Sequence, residues 1–221
     1  MPKIRAETLA DHHDLVWRGL IDGLERLLAA KPYEELTLAE VAAAAGMARN
    51  TIYNYARDKG TLLAQAAEFA SEDLLRQVAG LAAGARSGSE RLSEMISAMF
   101  AWFSSGAHRH LVLQSFFRDS PPALQAKAGA PLTEIGLHVA RVVGEGVAAG
   151  EFRRLEDPVL TVQLMSAVMH PALRRVAHRP DERALVEREV IGFLLGALSP
   201  EPEGRDPKGV ALAPAISRRL P

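Results

Sequence analysis

Residues 46–60 read Gly-Met-Ala-Arg-Asn-Thr-Ile-Tyr-Asn-Tyr-Ala-Arg-Asp-Lys-Gly, with two of the chain's three tyrosines, two asparagines and three basic side chains. These groups suit recognition of double-stranded DNA. An Arg49 guanidinium can fork onto guanine and an Asn50 amide onto adenine, while Thr51 can bond a base edge or touch a thymine methyl. Tyr53 and Tyr55 are long, rigid and hydroxyl-tipped, which suits phosphates flanking a groove. Lys59 falls at an expected helix start, where an ammonium and free backbone N–H groups together make an anion site. Thr37 holds the equivalent place one helix earlier. Phosphate contacts would position such a protein and base contacts would specify its sequence.

Such side chains need elements that hold them at one corner. Residues 9–30 put Val16, Leu20, Leu24, Leu27 and Leu28 on one helical face, and Lys31-Pro32 ends the run. Thr37 followed by Glu40 is a capping box, and Leu36 with Val41 has the spacing of a hydrophobic staple. The short helix so begun should end near Ala45-Gly46, Gly46 supplying a positive φ. The pattern then predicts a second short helix from about Ala48 to Tyr55 and a third from Asp58, an N-cap, to about Gly80. Two short helices joined by a tight glycine turn form a helix-turn-helix, which lays its second helix in the major groove. A purely structural helix pair has the same spacing. The polar first turn and the tyrosines interleaved with basic groups favour DNA.

The other elements also read as helices: about 89–105, 107–118, 122–149, 157–178 and 181–198, broken at Ser87-Gly88-Ser89, Pro121-Pro122, Gly150, Asp157-Pro158 and Pro180-Asp181. No segment alternates with period two. The expected fold is therefore all-α: a helix-turn-helix domain over 1–58, a larger helical domain over 59–198 and a loose tail over 199–221 rich in Pro, Gly and charge.

The 221 residues, 48% hydrophobic and 24% charged, describe a globular chain. The lack of cysteine excludes disulfides, thiolate metal sites and cysteine nucleophiles. Net charge is -1, and the first 60 residues hold eight Lys and Arg against nine Asp and Glu, so only the 46–60 corner is basic. No apolar run approaches the roughly 20 residues of a membrane helix, and Glu7, Asp11 and Asp14 stand where a signal peptide would be apolar. A cytoplasmic protein without membrane contact is expected. There is no Gly-rich phosphate loop, nucleophile elbow or Glu-x-x-His pair, so no enzyme and no cofactor are expected. The histidines lack the convergent spacing of metal ligands, so no metal is expected either.

Leu36-Thr37-Leu38-Ala39-Glu40-Val41-Ala42, then Ala45-Gly46-Met47-Ala48-Arg49-Asn50-Thr51-Ile52-Tyr53-Asn54-Tyr55 and Asp58-Lys59-Gly60-Thr61-Leu62-Leu63, resemble the DNA-binding domain of the tetracycline-repressor (TetR) family. The resemblance covers about residues 9–65. It implies a homodimeric, all-helical, one-component transcriptional regulator, usually a repressor released from operator DNA by a small molecule. Position by position, it implies phosphate contacts from Thr37, Tyr53, Tyr55 and Lys59 and base contacts from Arg49, Asn50 and Asn54. Three positions depart from the family pattern: Ala48 where Ser or Thr is usual, Ala56 where Phe is usual, and Gly60 where an acid is usual.

The larger domain must then dimerise and sense. The interface is expected on the last two long helices, from Val159, Leu160, Leu164, Val168 and Leu173 on one and Leu185, Ile191, Leu194, Leu195 and Leu198 on the other, with Gly192, Gly196 and Ala197 allowing close approach. Residues 95–103 are apolar nearly all round and predict a central helix. Met95, Met99, Trp102 and Phe103 on it, with Gln114, Phe116, Phe117 and His138, and with Met165, Met169 and His170, are the candidate pocket for an apolar small-molecule effector. Pro171 predicts a kink beside His170. Ligand there would shift the helix beginning at Asp58, change the separation of two headpieces and lower operator affinity. The other readings are a helical ligand-binding or scaffold protein with a structural helix-turn-helix, and a helical enzyme.

Overall fold

The computed structural model describes residues 9–105, 110–111 and 130–200, which form seven α-helices and no strands. The sequence dictates most helix starts locally. Helix α1 (Leu9–Ala30) stops at Lys31-Pro32, and a 3-10 turn follows over Tyr33–Glu35. Helix α2 (Leu38–Ala44) opens on the expected capping box, the Thr37 hydroxyl accepting from Glu40 N–H and the Glu40 carboxylate accepting from Thr37 N–H. Its far end closes on Gly46 at φ 71°: Met47 N–H donates to the Ala42 carbonyl at 2.9 Å and Gly46 N–H to the Ala43 carbonyl at 3.1 Å. This is a Schellman closure. Helix α3 (Lys59–Ala82) is capped by the Asp58 carboxylate, which accepts from Thr61 N–H at 2.6 Å.

Helix α4 (Gly88–Ser104) starts at a second capping box, Ser87 with Glu90. Helix α5 spans Ala130–Ala148. Helix α6 (Pro158–His178) has Asp157 as N-cap and Pro158 in its first turn, and helix α7 covers Arg183–Leu198. The expected helix over 107–118 lies outside the described residues apart from His110 and Leu111, as does the tail from residue 201. Helix α6 passes through Pro171 without a break, so the expected kink does not interrupt it. Proline there has no N–H to give the Ala167 carbonyl.

Two hydrophobic cores result. The first joins Trp17, Leu20, Ile21 and Leu24 of α1, Val41 and Ala42 of α2, Ile52 and Ala56 of the following segment, and Leu62, Leu63 and Ala66 of α3. The second joins Ala67, Leu74, Val78 and Ala82 of α3 to the buried faces of α4 to α7. Helix α4 is central, packing against α3, α5, α6 and α7. Arg91 of α4, buried, donates from Nη1 to the Ala82 carbonyl at 2.9 Å and to Glu145 Oε2 at 2.6 Å, tying the end of α3 to α5.

After α5 the chain reverses at Gly150 (φ 75°) and folds the Phe152 ring onto Gly146. A Cβ at residue 146 would overlap that ring, whereas one at Gly80 on α3 would meet nothing within 4 Å. Gly146→Ala should therefore destabilise the chain by about 1–3 kcal/mol, the usual effect of overpacking. Gly80→Ala should stabilise it by roughly 0.5–1 kcal/mol, since an exposed helical glycine gives way to the best helix former. Urea melts of the two variants check both signs.

Candidate nucleic-acid interface and ligand cavity

Close packing sets the position of the polar corner. Gly23 lets α1 lie against the end of α2; a Cβ there would stand 3.1 Å from Ala45 N. Arg26 donates to the terminal Ala44 carbonyl of α2 at 2.6 Å. Met47 then leads into the segment expected as a helix from Ala48 to Tyr55. The structure shows something shorter: a 3-10 turn over Thr51–Asn54, entered by Thr51 N–H donating to the Ala48 carbonyl at 2.9 Å. Ala48 has no oxygen with which to cap a helix, and Asn50 in the N-cap place makes no side-chain cap bond. Packing holds the turn instead. Ile52 is 0% exposed and Ala56 3% exposed in the first core, and Tyr55 sets its ring edge against Trp17, centroids 6.1 Å apart. Trp17 in turn stacks on Phe69 of α3 and donates from Nε1 to His13 Nε2 at 3.0 Å.

On that support Arg49, Asn50, Tyr53 and Asn54 are exposed and Thr51 is half-buried. Tyr53 is 53% exposed. The side chains of Arg49, Tyr53 and Asn54 make no hydrogen bond or ion pair with the described residues. Tyr55 is half-buried against Trp17. Thr37 stands at the N-terminus of α2 with its hydroxyl engaged by Glu40, which Lys31 holds from the other side at 2.6 Å. Those hydrogen bonds, Lys31 first and then Thr37, lower the Glu40 carboxyl to a pKa of about 2, so the box stays ionised through the neutral range.

Lys59 lies where the sequence places it, at the start of α3, but its ammonium turns inward. It donates to the carbonyls of Glu34 at 2.7 Å, Tyr33 at 3.1 Å and Leu36 at 3.4 Å, and lies 4.8 Å from the centroid of the Tyr33 ring. In this structure it clamps the loop between α1 and α2 to α3.

The expected pocket residues divide. A cavity of about 410 Å³ lies among α4, α5, α6 and α7, and Met95, Met99, Met165, Met169 and His170 line it. Trp102 and Phe103 meet edge to face at 4.9 Å on α4 but are not in the lining. His138 is half-buried on α5 and not in the lining, although its neighbour Val139 is. Gln114, Phe116 and Phe117 lie outside the described residues. The sequence reading missed the α5 wall, Leu132, Ile135, Gly136 and Val139, whose helical spacing is a signal that could have found it.

Of the expected interface residues, Leu173, Leu194 and Leu198 point into the chain's own second core. Val168, Ile191 and Leu195 are partly buried against it. Val159 and Leu164 are exposed, as are Leu160, Leu185 and Phe193. One long-range junction was invisible in the sequence. The Glu25 carboxylate of α1 accepts from His110 N–H, from Leu111 N–H and at His110 Nδ1, each at 2.8 Å, and Leu111 is 0% exposed within the first core. Among the described residues no group of three or more His, Asp or Glu could hold a metal, and no helix is long and apolar enough to cross a membrane.

Residues 20–66 match the family model described as "Bacterial regulatory proteins, tetR family". Three solved structures share the fold. The fatty acid degradation regulator FadR from Bacillus halodurans is 21% identical, with a TM-score of 0.72 over 82% of this chain and 99% of that one. The transcriptional regulator FadR from Bacillus subtilis, in complex with stearoyl-CoA, is 20% identical, with a TM-score of 0.70 over 82% and 99%. SmeT, the repressor of the Stenotrophomonas maltophilia multidrug efflux pump SmeDEF, is 16% identical, with a TM-score of 0.69 over 85% and 93%. Among curated proteins, sequence comparison finds no match.

If Lys59 is a clamp, Lys59→Met should lower stability without any DNA present, by about 1.5–3 kcal/mol for lost hydrogen bonds to a charged donor. A side chain serving phosphate alone would leave the urea midpoint unchanged.

Proposed function

We propose, from the premise that this chain is a TetR-family DNA-binding transcriptional regulator rather than an enzyme, that it is a cytoplasmic, homodimeric repressor whose operator affinity falls when an apolar small molecule fills the cavity. The observation that carries the DNA-contacting part is the corner at residues 49–54: exposed Arg49, Tyr53 and Asn54 lack partners among the described residues, while Ile52 beneath them is fully buried. A helix pair serving only as structure has no use for three such side chains on a rigid support. Arg49, Asn50 and Asn54 read base edges, with Thr51 beside them. Tyr53, Tyr55 and Thr37 reach phosphates, and Lys59 contributes its charge from the loop it clamps.

The dimer rests on helices α6 and α7. Helix α7 is apolar on two sides: Val186, Val190, Leu194 and Leu198 face the core, and Leu185 and Phe193 stand 48% and 62% exposed on the other side. Gly192 and Gly196 leave that side open, since a Cβ at either meets nothing within 4 Å. With Val159, Leu160 and Leu164 of α6 this makes a face that a second copy of the chain would cover, setting two headpieces at a fixed spacing. Residues 1–58 then act as headpiece and 59–198 as sensing body, with 199–221 beyond.

Two links run between them. Helix α3 has one end in each core. The Glu25 junction holds Leu111, seven residues beyond the end of α4, in the headpiece core. Met95 and Met99 on α4 line the cavity, so ligand there acts on both links. Ligand and operator need only favour different headpiece separations for each to weaken the other.

The test is an anisotropy titration of the DNA upstream of the protein's own gene, at several salt concentrations. Binding should weaken steeply with salt. Arg49→Ala should lose about 1–3 kcal/mol of preference for that DNA over a scrambled duplex. Equal affinity for the two duplexes in the unsubstituted protein would refute the reading.

A further inference from the structure

Gripping a DNA backbone takes cations, and most of those in and beside the headpiece are already engaged. Arg26 donates to the Ala44 carbonyl at 2.6 Å, and Lys31 pairs with Glu40 at 2.6 Å. Lys59 commits its ammonium to the carbonyls of Glu34, Tyr33 and Leu36. Arg18 lies in the groove between α1 and α3 among Asp14, Asp22, Glu72 and Asp73. Among the described residues, that leaves Arg49 and Arg57 of the corner, both exposed. Arg49 suits a base edge, so the backbone falls to Arg57.

Arg57 has a fixed root and a free tip. Ala56 before it is 3% exposed in the first core. Asp58 after it caps α3, its Oδ1 accepting from Thr61 N–H at 2.6 Å. The backbone at residue 57 is thus held from both sides. The side chain is 81% exposed, and its Nε lies 3.4 Å from Asp58 Oδ2. The Thr61 N–H, and beyond it the Arg57 charge, hold the Asp58 carboxyl below its ordinary range, so the anchor stays ionised. A guanidinium has five N–H donors in one plane. With Nε turned to Asp58, the two Nη groups make no hydrogen bond with the described residues. Such a fork matches two oxygens of a phosphate.

We propose that Arg57 contacts a backbone phosphate when this protein binds DNA, in the role that the family resemblance gives to Lys59. The proposal rests on the DNA-binding reading of the corner and goes beyond it by adding a contact residue. A phosphate contact serves any duplex, so it lends affinity without sequence preference.

The experiment measures binding of the full chain to two duplexes, the DNA upstream of its own gene and a scrambled sequence, over a range of potassium chloride concentrations. The slope of log affinity against log salt counts neutralised phosphates, about 0.9 for each on B-DNA. Arg57→Gln should make the slope shallower by about 0.9 per subunit on both duplexes, weaken both by the same factor of roughly three to ten, and leave the urea midpoint unchanged. Arg57→Lys, which keeps the charge, should keep the slope. Lys59→Met, compared at a temperature where circular dichroism shows it folded, should change the slope less than Arg57→Gln. Equal affinity of the unsubstituted protein for the two duplexes refutes operator reading and leaves the slopes decisive, since either duplex serves. No binding to either duplex would overturn both. An unchanged slope in Arg57→Gln, a loss confined to the upstream duplex, or a larger change from Lys59→Met than from Arg57→Gln would overturn the Arg57 contact alone.

Discussion

The structure depends on one helix belonging to two cores. Leu62, Leu63 and Ala66 of α3 are buried with α1 and α2, and from Ala67 to Ala82 its buried face packs against the body. The two overlap over residues 67–70, where Ala67 joins the second core while Phe69 and Ala70 still pack against the first, with no break in the helix. Each fully buried leucine contributes about 1.5–3 kcal/mol on either side, so neither core can shift along α3 without unburying side chains in the other. Packed interiors of this density respond in discrete steps rather than by smooth deformation. In the proposed mechanism this makes a change in the body felt by the headpiece.

The same economy governs the corner at residues 49–54. It lacks a capping side chain at Ala48 and the aromatic at Ala56 that the TetR-family pattern it resembles usually has, and it is not a full α-helix. It is held by burial of Ile52 and by Tyr55 against Trp17, with Lys59 fastening the preceding loop to α3 through three carbonyls. Trp17 and Phe69 bring α1 and α3 into the same aromatic contact. Side chains that are expected to read DNA are thus supported by contacts with the shared helix.

Much of this was legible in the sequence, and where it was not the reason is physical. The Thr37–Glu40 box, the Gly46 turn and the Asp58 cap are satisfied within a few residues, so spacing alone reveals them. The methionine pairs 95/99 and 165/169 are one turn apart and reach one cavity, whereas Trp102 and Phe103 pack elsewhere on the same helix. Leu173, Leu194 and Leu198 show the limit of periodicity. An apolar helix face names what is buried, but not whether the chain itself or a second copy covers it. The inward turn of Lys59 spans 23–26 residues, and the Glu25 junction spans 85 and 86. Such contacts exist only after folding brings distant segments together, and no local pattern encodes them.

The most direct test of the account is the distance between headpieces. The chain has no cysteine, so Ala43→Cys on the exposed side of α2 gives one spin label per subunit. Double electron–electron resonance on the proposed dimer then reports label separation with operator DNA bound and, separately, with a saturating ligand that raises the melting temperature. The account predicts two distinct distance distributions, with ligand moving the DNA-bound population toward the second. Identical distributions in the two states would contradict it.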